Sequence, residues 1–114
     1  MTAQEKLDLI TTIADEMKAE DIQTLDIRNK TSVCDFFVVC TANNDRLVEA
    51  IADRVAEKLK ELKERPLRTE GAGSGWVLQD YGDVVLHVMR DEQRQFYDLE
   101  TLWKTMQPNP DLMG

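Results

Sequence analysis

The stretch Trp76-Val77-Leu78-Gln79-Asp80-Tyr81-Gly82-Asp83-Val84-Val85-Leu86-His87-Val88-Met89 decides the fold. Two apolar runs, 76–80 and 83–89, flank Tyr81-Gly82. A two-residue connection containing Gly between such runs predicts a β-hairpin. Counting outward from that turn pairs Asp80 with Asp83, Leu78 with Val85 and Trp76 with His87, all on one face. Val77, Gln79, Val84, Leu86 and Val88 take the opposite face and are the better core candidates. The first face is also apolar, yet it carries a Trp, a His and two carboxylates at its tip. Under a helix it is ordinary packing. Left open, it is an apolar patch rimmed by acid, the composition of a docking surface for a basic partner.

On the N-terminal side, Gly71-Ala72-Gly73-Ser74-Gly75 reads as a loop and Leu67-Arg68-Thr69-Glu70 as an edge strand, with Pro66 stopping a preceding helix. That helix runs from about 45 to 64 on a stripe of Leu47, Ile51, Val55, Leu59 and Leu62. Its other side is charged, most simply a solvated face. The run Asp35-Phe36-Phe37-Val38-Val39-Cys40-Thr41 is apolar on both parities, as a central strand covered on both faces should be. A short strand around Ile22, Leu25 and Ile27 precedes it. Thr2 and Glu5 form a capping box for a first helix near 3–18. On the C-terminal side, Asp91 caps a helical turn through Phe96. Asp98 then caps a last helix with Leu99, Leu102, Trp103 and Met106 inward, ended by Pro108 and Pro110.

The order is α-β-β-α-β-β-β-α, an α/β fold whose sheet is mixed, because the hairpin is antiparallel and the long helix permits a crossover. One domain over 1–107 with a tail at 108–114 suits a chain of 114 residues. A formal net charge of −8 argues against a nucleic-acid groove, which needs clustered Lys and Arg. Cys34 and Cys40 fall on one strand face, too far apart to bridge, and read as buried thiols in a reducing compartment. No stretch reaches the length of a membrane span, and Met1-Thr2-Ala3-Gln4-Glu5-Lys6 lacks a secretory layout. A cytoplasmic location is expected.

The residues offer little catalytic chemistry. Gly73-Ser74 ahead of Asp80 and Asp83 is faintly similar to a nucleotidyltransferase loop with metal-binding carboxylates. Two-metal transfer, however, wants carboxylates converging around the ions, commonly as Asp-x-Asp on one strand. Here the two are three apart across a turn and no third is evident. The Gly loop matches neither the P-loop nor the dinucleotide fingerprint. His87 is the only histidine, and both cysteines sit in the central strand rather than at an exposed helix start. No catalytic residue, metal ligand or cofactor site is expected.

Leu25-Asp26-Ile27-Arg28, Cys34-Asp35-Phe36-Phe37-Val38-Val39, the hairpin stretch, Glu70-Gly71, Glu92, Arg94, Phe96-Tyr97, Leu99-Glu100 and Leu102-Trp103 together resemble the ribosomal silencing factor family, also called the iojap family. The likeness covers about 5–104 in the family's order. It departs at Thr41-Ala42-Asn43-Asn44, where the family has a small Gly- or Ser-containing turn, and in a Gly loop shorter than some. The resemblance implies a nucleotidyltransferase-like fold that has lost catalysis. It implies binding to large-subunit ribosomal protein fourteen, which sterically blocks joining of the small subunit and silences translation when nutrients are short. It also implies a homodimer in isolation. Carried onto this chain, Trp76 and Leu78 become apolar anchors, Glu70, Asp80 and Asp83 meet basic side chains, Tyr81 offers ring and hydroxyl at the tip, and His87 braces Trp76. Two rivals stay open: a residual nucleotidyltransferase, and an assembly factor for immature large subunits.

Overall fold

The computed structural model describes residues 1–105. Helix α1 (Ala3–Glu16) starts on the expected capping box, with Glu5 N donating to Thr2 Oγ1 at 3.1 Å and Thr2 N to Glu5 Oε1 at 2.9 Å. Strand β1 (Glu20–Asp26) is followed by β2 (Phe36–Ala42), α2 (Asp45–Glu61), β3 (Arg68–Glu70), β4 (Trp76–Asp80), β5 (Val84–Arg90), α3 (Asp91–Tyr97) and α4 (Leu99–Thr105). The five strands lie in the order β1-β2-β5-β4-β3. Only β2 and β5 run parallel; every other neighbouring pair is antiparallel. The expected mixed α/β sheet is present. The central place of β2 explains why its sequence is apolar on both parities, since both its faces are covered.

Helices α1 and α2 cover one face of the sheet. There Leu7, Ile10, Ile51, Val55 and Leu59 pack on Val38, Val77, Val84, Leu86 and Val88. Burying each such side chain stabilises the fold by roughly 1.5–3 kcal/mol before chain entropy is charged against it. The opposite face holds a smaller cluster of Leu25, Ile27, Cys34, Val39, Val85 and Met89, against which Phe37, Trp76, Leu78, Leu99 and Trp103 pack.

Several local expectations are corrected. The hairpin loop is Gly82-Asp83, closed by Tyr81 N donating to Val84 O at 2.9 Å. Gly82 takes φ +91°, which suits a turn that needs glycine at its first position. Trp76 therefore pairs with Met89, Leu78 with His87 and Asp80 with Val85, a register two residues from the expected one. A shift of two preserves the faces. Helix α2 ends before Pro66, at Leu62, where Lys63 turns left-handed with φ +62° and Leu62 is left exposed. Cys34 precedes β2 and lies in the smaller cluster, on the opposite face from Cys40; both are buried thiols. Burial pushes the two thiols up, to about 11 and about 12. Asp91 is the first residue of α3 rather than its cap. Asp98 closes α3 as a left-handed C-cap and directly precedes α4, its carbonyl accepting from Leu102 N at 3.1 Å, and Leu102 is half exposed rather than inward. Met106, Pro108 and Pro110 lie outside the described residues.

Candidate functional site: the half-open aromatic face of the hairpin

The antiparallel β4–β5 pair places Trp76, Leu78 and Asp80 on the less covered face, at the side of the sheet away from α4. Trp76 and Leu78 are half-buried. With Glu70, Gly71 and Ser74 they line a shallow pocket of about 290 Å³. The loop that shapes it depends on Gly71, where φ is +88° and a Cβ would stand 1.9 Å from Trp76 O. Only glycine lets that loop fold back on the strand. Ser74 Oγ donates to Gly71 O at 2.6 Å and locks the turn.

His87 anchors the indole from the neighbouring strand. Trp76 Nε1 donates to His87 Nδ1 at 3.1 Å, which fixes the neutral tautomer with its proton on Nε2. His87 is 3% exposed, and burial pushes its pKa down to about 4. Among the described residues its Nε2 has no hydrogen-bond partner. Rings surround it: Phe37 lies 4.7 Å away between centroids and Trp76 5.9 Å. The imidazole thus acts through Trp76 and offers no face of its own to a partner.

The acidic residues expected at the site divide. Glu70 is exposed and pairs with Arg68 at 3.2 Å. Asp80 pairs with Arg68 at 3.4 Å, while its Oδ1 accepts from Gly82 N at 2.8 Å. Asp83 is drawn back to α1, where Lys6 Nζ reaches it at 2.8 Å and Glu64 at 3.4 Å. Burial lowers the Lys6 pKa, and the two carboxylates more than offset this, leaving it above the ordinary lysine value. Asp80 and Asp83 are held by different cations, and no group of three His, Cys, Asp or Glu suited to a metal occurs among the described residues. Tyr81 is corrected outright. It is 5% exposed, lies in the helix-covered core, and its hydroxyl donates to Gln79 Oε1 at 2.8 Å. The odd parity that put Val77 and Gln79 in the core applies to Tyr81 as well, because the turn begins one residue later.

Two aromatic residues absent from the expected site adjoin it. Tyr97 lies against Trp76 with ring centroids 4.7 Å apart and the planes tilted by 50°, and Phe96 meets Tyr97 edge-on at 5.1 Å. Their signal in the sequence was an aromatic pair at the end of a helix of only seven residues, too short to bury both.

A five-stranded mixed sheet, with α1 and α2 on one face and α4 beside an aromatic, acid-edged strip on the other, defines a small α/β domain. The sequence profile described as "Ribosomal silencing factor during starvation" matches residues 1–113. The chain is 40% identical over 110 residues to the Ribosomal silencing factor RsfS of Chromobacterium violaceum, covering 96% of this chain and 90% of that one. To its namesake from Halalkalibacterium halodurans it is 38% identical over 104 residues, covering 90% and 89%. A crystal structure of a Chromobacterium violaceum protein superposes with a TM-score of 0.89 at 38% identity, covering 96% and 92%. The chain belongs to the ribosomal silencing factor family.

Proposed function

We propose that this chain represses translation by binding the large ribosomal subunit at large-subunit ribosomal protein fourteen and occupying the surface where the small subunit joins. The mechanism is steric and needs no covalent step. The reading places the protein in the cytoplasm, where ribosomes work; no helix among the described residues is long and apolar enough to cross a membrane. The observation that carries it is the half-buried Trp76 and Leu78 beside Glu70 and Asp80. An apolar anchor with an acidic border complements a basic ribosomal protein.

The decisive experiment mixes separated subunits with increasing protein and resolves free from joined ribosomes on a gradient. Free subunits are expected to accumulate as the protein saturates the large subunit. Unchanged joining at saturation removes the proposal, and binding without any block on joining favours an assembly role instead. Trp76→Ala is expected to weaken large-subunit binding by about 2 kcal/mol, roughly thirtyfold in Kd. A folded variant with native affinity would take the site away from this face.

A further inference from the structure

Phe96 is 83% exposed, the highest value of any large apolar side chain among the described residues. Nothing in the core explains it, because Arg94 is the one buried residue of α3. Its ring sits edge-on to Tyr97, whose ring sits on Trp76, so the apolar strip does not end at the indole. It continues over the end of α3 to a second shallow pocket of about 320 Å³, lined by Glu92, Gln93, Phe96 and Tyr97. The platform is rigid: Arg94 ties α3 to β1, β2 and α4.

Charge selects the occupant. Glu70 lines the first pocket and Glu92 the second, and both are exposed. The nearby cations are both engaged: Arg68 by Glu70 at 3.2 Å and Asp80 at 3.4 Å, and Arg90 by Asp45 at 2.9 Å and Glu92 at 3.7 Å. An aromatic strip inside an acidic border fits a protein surface with an apolar side chain set among lysines and arginines. A second copy of this chain would bring like charge against like.

We propose that Phe96 and Tyr97 form a second anchor pocket on α3, and that one basic protein surface spans this pocket and the Trp76 pocket together. The inference rests on the reading of Trp76 as a docking residue. It adds the requirement that the partner reach across the sheet edge onto the helix.

The test measures large-subunit binding for Phe96→Ser, Phe96→Leu and Trp76→Ala, with melting temperature and sedimentation of each variant alone. Phe96→Ser is expected to bind about tenfold more weakly, and Phe96→Leu within about twofold of the parent. Melting should not move, because the ring is exposed. Parental binding is expected to weaken with added salt. Native affinity for Phe96→Ser together with loss for Trp76→Ala overturns the second anchor and leaves the docking reading intact. Native affinity for both variants removes both. A Phe96→Ser protein that changes oligomeric size while binding ribosomes normally assigns the pocket to a second copy and overturns the proposal, as does binding indifferent to salt.

Discussion

Replacing Arg94 with methionine is expected to destabilise the fold by about 3 kcal/mol, the usual cost of breaking a buried ion pair from one side. Arg94 is 7% exposed and uses its whole guanidinium. Nε and Nη2 donate to Glu100 at 2.9 and 3.1 Å, a two-pronged grip on α4. Nη1 donates to Asp21 O at 2.7 Å and to Thr41 Oγ1 at 2.8 Å. The Asp21 carbonyl sits where the β1–β2 register shifts between Glu20 and Gln23, and Asp21 itself has φ +47°. A bulge leaves backbone groups out of the ladder. Arg94 supplies a donor there. Methionine keeps the stem and removes every donor at once.

Urea unfolding at pH 7 measures the loss. Arg94→Lys is expected to fall between parent and methionine variant, since one ammonium cannot reproduce the planar fork. Glu100→Ala combined with Arg94→Met should cost less than the sum of the single changes, because the second removes a group already left without its partner. A methionine variant within about 0.5 kcal/mol of the parent would refute the clamp. The clamp also bears on the proposed docking strip, because α3 carries Tyr97 onto Trp76 and Arg94 holds α3.

Arg94 also marks the limit of what the sequence could disclose. No structural role is assigned to it from the sequence; its partners Asp21 and Thr41 lie 73 and 53 residues away. Period, by contrast, acts locally, and there the reading succeeded, whereas the punctuation misplaced the hairpin turn, the end of α2 and the cap of α3. The two-sided apolar run of β2 revealed a central strand, and the hairpin parity placed Val77, Leu86 and Val88 under the helices. The same count misjudged Tyr81, because one residue of turn placement separates an exposed tip from a buried ring. It also left Asp83 free to meet a partner, whereas Lys6, 77 residues away, holds it. For Trp76, alternation gave the face and His87 as its neighbour. How far the face is open depended on where α3 and α4 pack, and the sequence between 91 and 105 does not encode that by period.

Acidification from pH 7 to pH 5 is expected to weaken the fold through His87 alone by about 2 kcal/mol, approaching about 3 kcal/mol near pH 4. The sign follows from proton counting. Burial holds the folded imidazole at about 4, against an ordinary value of 6.5, so between these limits the unfolded chain binds the proton and the folded chain does not. Stability rises with pH across that window, is complete above the unfolded value, and is lost as pH falls through the folded one. Lys6, shifted upward, adds nothing here, because it is fully charged in both states at pH 5 to 7. Urea unfolding of the parent and of His87→Phe at pH 7, 6 and 5 isolates the effect. The phenyl ring keeps the apolar contacts and leaves Trp76 Nε1 without its acceptor, a cost independent of pH. The parent should therefore lose about 2 kcal/mol more than the variant between pH 7 and 5. Parallel curves would mean that His87 titrates normally. The same proton has a consequence at the surface: Nδ1 cannot accept from Trp76 once protonated. The folded imidazole takes up that proton only near pH 4, so large-subunit affinity is expected to hold between pH 7 and 5, where stability already falls, and to drop as the pH approaches 4.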